Sequence, residues 1–304
     1  MGWLYARAGT EARMNQESGD GTIRPRRGRW GRRLGVAALV LIVAGAGYWL
    51  WSRRGPVETT EIYRGITYTC IELPEGPESR GLAHIVEVDL SAPGIELYLT
   101  PMDGEALAEG WQYKIDFPWR EGRRRKLSVA VNAMLYQEEP SYLPLPGNFA
   151  RGGETGVSEG IVNHVDPHSY LLWFERDLTP HLEHRKPPPE AALAKAHWGV
   201  SGQGVAFADG KISRHAGAAP DRRTFIAIDR STRRLWLACF DHASPRYASQ
   251  VLIDRGATEG LSLDGGSSTC MYLGPEARGV RGGTVHGGWR PVATTFGVRG
   301  KPLE

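Results

Sequence analysis

The segment Leu261-Ser262-Leu263-Asp264-Gly265-Gly266-Ser267-Ser268-Thr269 holds residue types suited to acid–base and anion chemistry. A short apolar strand delivers a carboxylate directly into two glycines, and three hydroxyls follow. Glycines let a backbone approach a ligand closely and reach positive φ. Successive N–H groups in such a turn form a concave anion site, to which the Ser267 and Ser268 hydroxyls add donors. An Asp at that edge can act as general acid or base, or orient a sugar hydroxyl. An Asp-Gly hairpin turn is the plainer reading of Asp-Gly-Gly alone. The helical pattern before it, the Gly256 stop and the apolar strand set this segment apart.

Three other segments complete a pattern. Val129-Ala130-Val131-Asn132 is an apolar strand ending in Asn, Arg223-Thr224-Phe225-Ile226-Ala227-Ile228 begins with Arg, and Arg290-Pro291-Val292-Ala293 lies near the C-terminus. With Tyr247 through Met271 these segments resemble, in the expected order, the phosphodiester glycosidase family, and the likeness spans residues 82–299. The resemblance implies a glycoside hydrolase acting on a phosphodiester-linked sugar. It also implies Asp264 and Asn132 as catalytic residues, and Arg223, Gly265, Gly266 and Arg290 as substrate-binding ones, to which the Ser267 and Ser268 hydroxyls are added on their donor chemistry alone. The chemistry suits those types: Arg offers a two-pronged donor to phosphate, and a carboxylate belongs near the anomeric carbon or the leaving oxygen. Asn132 is expected to hydrogen-bond a sugar hydroxyl. Ala133-Met134 stand where the family has Gly-Gly, and Ser267 where it has a third Gly. Both changes are expected to narrow a turn or pocket, which keeps open a catalytically inactive glycan-binding domain.

A glycosidase that uses two carboxylates needs a second one, and Glu138, Glu139 and Glu154 are the candidates. Trp289, beside Arg290 and two glycines, is suited to stack on a sugar face. Read alone, Arg223 could equally pair with Asp221 or Asp229 at a sheet edge. His164, Asp166 and His168 fall on one side of an extended chain, as a divalent-metal set would require, but Pro167 and the short spacing count against it. No other cofactor is implied. Gly156-Val157-Ser158-Glu159-Gly160 matches a nucleophile elbow, which keeps open a serine hydrolase using Ser158 with His286 and an Asp such as Asp241. That motif needs a buried strand before the Ser and a helix after it, and the flanks provide neither.

The elements that must position these groups are mostly strands. Alternating or apolar runs fall at 82–90, 94–99, 127–131, 170–174, 204–208, 224–229, 234–240, 261–263 and 292–298. Helical patterns fall at 191–197 and 247–255. There is no regular alternation of strand and helix, so the expected class is α+β, a mixed β-sheet core with a few helices. The Pro- and Gly-rich stretch 137–160 reads as a long ordered loop that lines the site.

Charge locates the domain. The 304 residues carry a formal +3, but eight Arg against three acidic residues give residues 1–33 alone +5. With Arg53 and Arg54 also set aside, residues 55–304 sum to −4, which gives no support to nucleic-acid binding. The basic tail leads into an uncharged run from Leu34 to Trp51. As a helix it reaches about 27 Å, close to the hydrocarbon thickness of a bilayer. Tyr48, Trp49 and Trp51 fit an interfacial belt, and the Arg cluster before the run places the tail in the cytoplasm. Cleavage at Ala44-Gly45-Ala46 is the alternative, opposed by the long region before the run and the apolar residues after it.

The expected order is therefore a cytoplasmic tail (1–33), a transmembrane helix in the lipid bilayer (34–51), a linker (52–80) with one short strand around Tyr68–Ile71, and a phosphodiester glycosidase-like domain (81–304). That domain lies outside the cytoplasm, in the periplasm where there is one, and its partner is a phosphorylated or phosphodiester-linked envelope glycan or exopolysaccharide. Cys70, Cys239 and Cys270 are an odd number, read as three buried thiols or one pair and a free thiol.

Overall fold

The computed structural model describes Leu39 and residues 55–138, 145–202, 204–214 and 218–304. The basic tail, the 34–51 run other than Leu39, and Glu139 lie outside the described residues. Among the described residues no helix is long and apolar enough to cross a membrane. Residues 54–304 form one compact unit.

That unit is mostly β-sheet. Its largest sheet has eight strands, running in space through 57–63, 66–73, 79–89, 234–243, 221–229, 259–262, 204–208 and 211–212. A five-stranded sheet runs through 283–287, 270–273, 129–132, 295–299 and 96–99. A second five-stranded sheet and a three-stranded one are the others among the described residues. Every pairing among the described strands is antiparallel, which corrects the mixed sheet expected from sequence. Short hairpins, such as that between 221–229 and 234–243, fix this direction for some neighbours, while for others, such as 79–89 with 234–243, it follows from which distant strands meet. Residues 57–73 are a second correction. They are two strands of the large sheet and not a linker with one short strand.

Period-two alternation explains both faces of the large sheet. Ile226, Ile228, Leu235 and Leu237 point into a core shared with Val129, Val131 and Met271 of the five-stranded sheet. The intervening Phe225, Ala227, Trp236 and Ala238 face the other way, under Ala248, Val251 and Leu252 of the helix Pro245–Ile253. Ser244 caps that helix by accepting the Tyr247 N–H at 3.1 Å. Cys70, Cys239 and Cys270 are buried, and none of them forms a disulfide.

Two features of this architecture place the site. The chain leaves the large sheet at Ser262 and enters the five-stranded sheet at Cys270, so the Asp-Gly-Gly segment is the crossover between them. The central strand Val129–Asn132 of the five-stranded sheet ends beside that crossover, with the Asp264 N–H donating to the Ala133 carbonyl at 3.0 Å.

Candidate active site

Asn132 is fully buried, and its amide joins the two sheets. Nδ2 donates to the Asp264 carbonyl at 2.6 Å, and Oδ1 accepts from the Thr224 hydroxyl at 2.7 Å and the Cys270 N–H at 3.0 Å. A side chain so enclosed does not reach a sugar hydroxyl, which corrects the catalytic role expected for it. Asn132 instead holds the Asp264 crossover in register.

The turn it holds is a single 3₁₀ segment, Gly266–Ser268. Gly266 has φ +59°, where a side chain is disfavoured, and a Cβ on Gly265 would lie 2.9 Å from the Arg222 carbonyl oxygen. The two glycines thus admit a turn pressed against the neighbouring strand. The leading N–H groups of so short a helix have no acceptor within it. Burial raises the Asp264 carboxyl above its ordinary range, opposed by hydrogen bonds from the Ser268 hydroxyl and the Gly265 N–H and by the Arg290 charge.

Two guanidiniums lie against this turn. Arg290 donates from Nη1 to the Ser267 Oγ at 3.2 Å and from Nε to the Tyr136 hydroxyl at 3.3 Å, and its Nη2 pairs with Glu138. Arg223 lies alongside the turn, with Nη1 3.9 Å from where a Gly265 Cβ would stand. It donates from Nη2 to the Ala219 carbonyl at 2.7 Å, and its buried Nε has no hydrogen-bond partner among the described residues. Neither Asp221 nor Asp229 pairs with it there; Asp229 is taken up by Ser231 and Thr232. Trp289 is 68% exposed beside Arg290. The structure therefore gathers Asp264, Gly265, Gly266, Ser267, Ser268, Arg223 and Arg290 around one turn.

The departures from the family pattern act elsewhere than expected. Ala133 and Met134 are each only 1% exposed and belong to the core. A Cβ on Gly156 would lie 2.7 Å from Met134 Cε, so that side chain fills space under the 156–158 strand. Ser267 is exposed and accepts from Arg290, tying the turn to the guanidinium.

Sequence alone left three Glu as equals, and the structure separates them. Glu138 is the ion-pair partner of Arg290. Glu154 is 6% exposed, and its Oε2 accepts the Leu135 N–H at 3.0 Å. Burial pushes its carboxyl up to about 7, the Leu135 N–H opposes this, and the charges of Asp264 and Asp166 add to it.

Two other motifs come apart. Gly156–Ser158 is followed by Glu159 and Gly160, both at positive φ, and then by the antiparallel strand Ile161–Val162. This is a hairpin and not a strand-to-helix elbow, and the Ser158 hydroxyl donates to the Leu99 carbonyl at 2.8 Å. His286 and Asp241 do pair, at 3.1 Å, but no hydrogen bond links either to Ser158. Among the described residues no three His, Cys, Asp or Glu are arranged to hold a metal. Asp166 accepts from the Ser169 hydroxyl at 2.5 Å, His168 is exposed, and the buried Nδ1 of His164 has no partner among the described residues.

The comparisons with known proteins bear on this geometry. No curated protein matches the chain by sequence. Among solved structures the fold is similar to the zebrafish N-acetylglucosamine-1-phosphodiester α-N-acetylglucosaminidase catalytic domain, auto-inhibited by its pro-peptide. The identity is 13%, the match covers 80% of this chain and 87% of that one, and the TM-score is 0.55. A hypothetical protein from Synechocystis is similar at 15% identity, over 81% of this chain and 64% of that one, with a TM-score of 0.51. Such identities speak for the fold alone. The phosphodiester glycosidase family model, by contrast, matches residues 125–299, more than half of the chain and a span that includes Asn132, Glu154, Arg223, Asp264 and Arg290. On that match the chain belongs to the phosphodiester glycosidase family.

Proposed function

We propose that the domain hydrolyses the bond between the anomeric carbon of a sugar and a phosphodiester, on a glycan outside the cytoplasm. The observation that carries this reading is Asp264, set in a Gly-Gly turn with the Arg290 charge acting on its carboxyl and Arg223 lying against Gly265. In that arrangement the guanidiniums and the leading N–H groups of the turn receive the phosphate. Asp264 faces the positive charge that develops at the anomeric carbon. Trp289 offers a flat apolar surface to the sugar ring. The zebrafish relative is named for an N-acetylglucosamine-1-phosphodiester, and a sugar-1-phosphodiester is the substrate class we carry over from it.

A panel of sugar-1-phosphodiesters incubated with the purified protein tests the reading. Release of free sugar together with a phosphomonoester is expected from at least one member. Binding without release from any member would leave the inactive glycan-binding domain in its place. The inward course of Ala133 and Met134 favours the enzyme, because neither side chain occupies the open face of the turn.

Residues 34–51 are proposed to anchor the domain in the bilayer, supported by their lack of charge, the Arg cluster before them and the aromatic residues at their end. Alkaline carbonate washing is expected to leave the full chain in the membrane fraction. A shortened, wash-released product beginning near residue 47 would instead favour cleavage at Ala44-Gly45-Ala46.

A further inference from the structure

We infer that Glu154 is the second carboxylate of this site, the base that takes a proton from the water attacking the anomeric carbon. The inference rests on the hydrolase reading above and assigns that reaction a residue.

The first support is a shared tether. Ala133 and Leu135 are two residues apart on one short loop. The Ala133 carbonyl accepts the Asp264 N–H at 3.0 Å, and the Leu135 N–H donates to Glu154 Oε2 at 3.0 Å. The Gly153 N–H returns to the Leu135 carbonyl at 2.9 Å, which fixes the backbone that carries Glu154. Asp264 and Glu154 are therefore held at the two ends of the same three-residue segment, near enough for their charges to repel.

The second support is that stability does not explain this carboxylate. It is buried, and no Arg, Lys or His pairs with it among the described residues. The charged groups that act on it, Asp264 and Asp166, are both negative. A buried carboxylate without a cation costs stability rather than adding to it. Groups held at such a cost mark sites where a proton must move. Of the rivals, Glu138 is occupied by Arg290, and Glu139 lies outside the described residues.

The step balances without another reactant. The water oxygen bonds to the anomeric carbon while its proton passes to Glu154. The bond from that carbon to the phosphate oxygen breaks, and its electron pair leaves with the phosphomonoester, which Arg290 and Arg223 receive. Asp264 stays ionised throughout. A direct displacement of this kind inverts the anomeric centre. A carboxylate raised to about 7 is a stronger base than an ordinary one and is still ionised in good part at neutral pH, as general-base transfer from water requires.

Glu154→Gln tests this, since its amide oxygen still accepts the Leu135 N–H. In the wild type, kcat/KM is expected to rise through a limb near pH 7. In the variant it should fall by about 100-fold or more and lose that limb. Azide needs no base, so it should restore turnover to Glu154→Ala and give the inverted glycosyl azide. A thermal readout runs beside activity. Because the folded state raises this pKa, its contribution to stability is full below about pH 4.5 and lost as pH rises through about 7. The Tm of the wild type should therefore fall across that window relative to Glu154→Gln. A variant that folds and keeps the wild-type rate and limb overturns the inference and leaves the hydrolase reading standing. A wild type silent on every phosphodiester defeats the hydrolase reading, whatever the thermal comparison shows.

Discussion

Asp264→Asn is expected to lower kcat/KM by on the order of 10³-fold or more while leaving the fold intact. The change removes one ionisable oxygen and nothing else of that size. The Asn carboxamide can still accept from Ser268 and Gly265, the groups that bond the carboxylate in the wild type. The backbone contacts of residue 264, to the Ala133 carbonyl and from Asn132 Nδ2, do not involve its side chain. What disappears is a negative charge in a mostly buried setting, where it acts on a nearby cation far more strongly than it would in water. Burial also holds the Asp264 carboxyl above its ordinary range, so removing the charge spares the fold a desolvation cost. A Tm equal to or above that of the wild type at neutral pH is therefore expected alongside the lost rate. A variant that keeps more than about a tenth of wild-type kcat/KM would remove Asp264 from the chemistry.

Asn132→Leu is expected to have the largest effect on stability, about 3–5 kcal/mol, with activity falling as the folded fraction falls. Leu is close to Asn in size but has no polar atoms. The Cys270 N–H, the Thr224 hydroxyl and the Asp264 carbonyl would then stand buried without Asn132, each of them costing about 1–3 kcal/mol if nothing replaces it. For a domain of this size the loss corresponds to a Tm lower by roughly 10 °C. Asn132→Asp separates the two halves of the amide, because it keeps the acceptor and loses the donor to Asp264. It should destabilise too, with the further burden of a buried charge. Thermal and urea unfolding measure both variants. A loss under about 1 kcal/mol for Asn132→Leu would mean that other contacts hold the crossover.

Much of the sheet was legible where a strand is buried and alternates. The runs at 170–174 and 204–208 have the bounds read from sequence, and 224–229 and 234–240 fall within longer strands. The edge was not. Val57–Tyr63 carries Glu58, Thr59 and Glu61 on exposed positions, so its pattern is that of a polar linker, and only pairing with 66–73 makes it a strand. Antiparallel direction was also hidden, because it depends on which distant strands meet.

The site divides in the same way. The Asp-Gly-Gly turn announces itself locally, since two adjacent glycines after a carboxylate are a backbone requirement written in residue types. The buried state of Asn132 and the choice of Glu154 among three glutamates depend on packing between segments far apart in the chain. The only local signs of Glu154 are the two glycines before it, and they appear in many loops. The inward course of Met134 was illegible for a related reason. The space that receives it is the missing side chain of Gly156, on another strand.

The crossover that builds the turn also bears on how the chain acquires its fold. The central strand Val129–Asn132 has as its two neighbours Cys270–Leu273 and Thr295–Arg299, about 140 and 166 positions further along. The strand 79–89 likewise pairs with 234–243. Contacts this distant in sequence make folding slow, because loop closure must be completed before the pairings repay it. During synthesis, Val129 to Asn132 has neither neighbour until residue 273 has been made, and lacks the second until residue 299. Its flanks, Arg123-Arg124-Arg125-Lys126 on one side and Glu138 and Glu139 on the other, are charges of the kind that discourage such a segment from pairing with another chain. The same long-range closure that aligns Asp264 with its partners makes the site one of the last parts of the domain to exist.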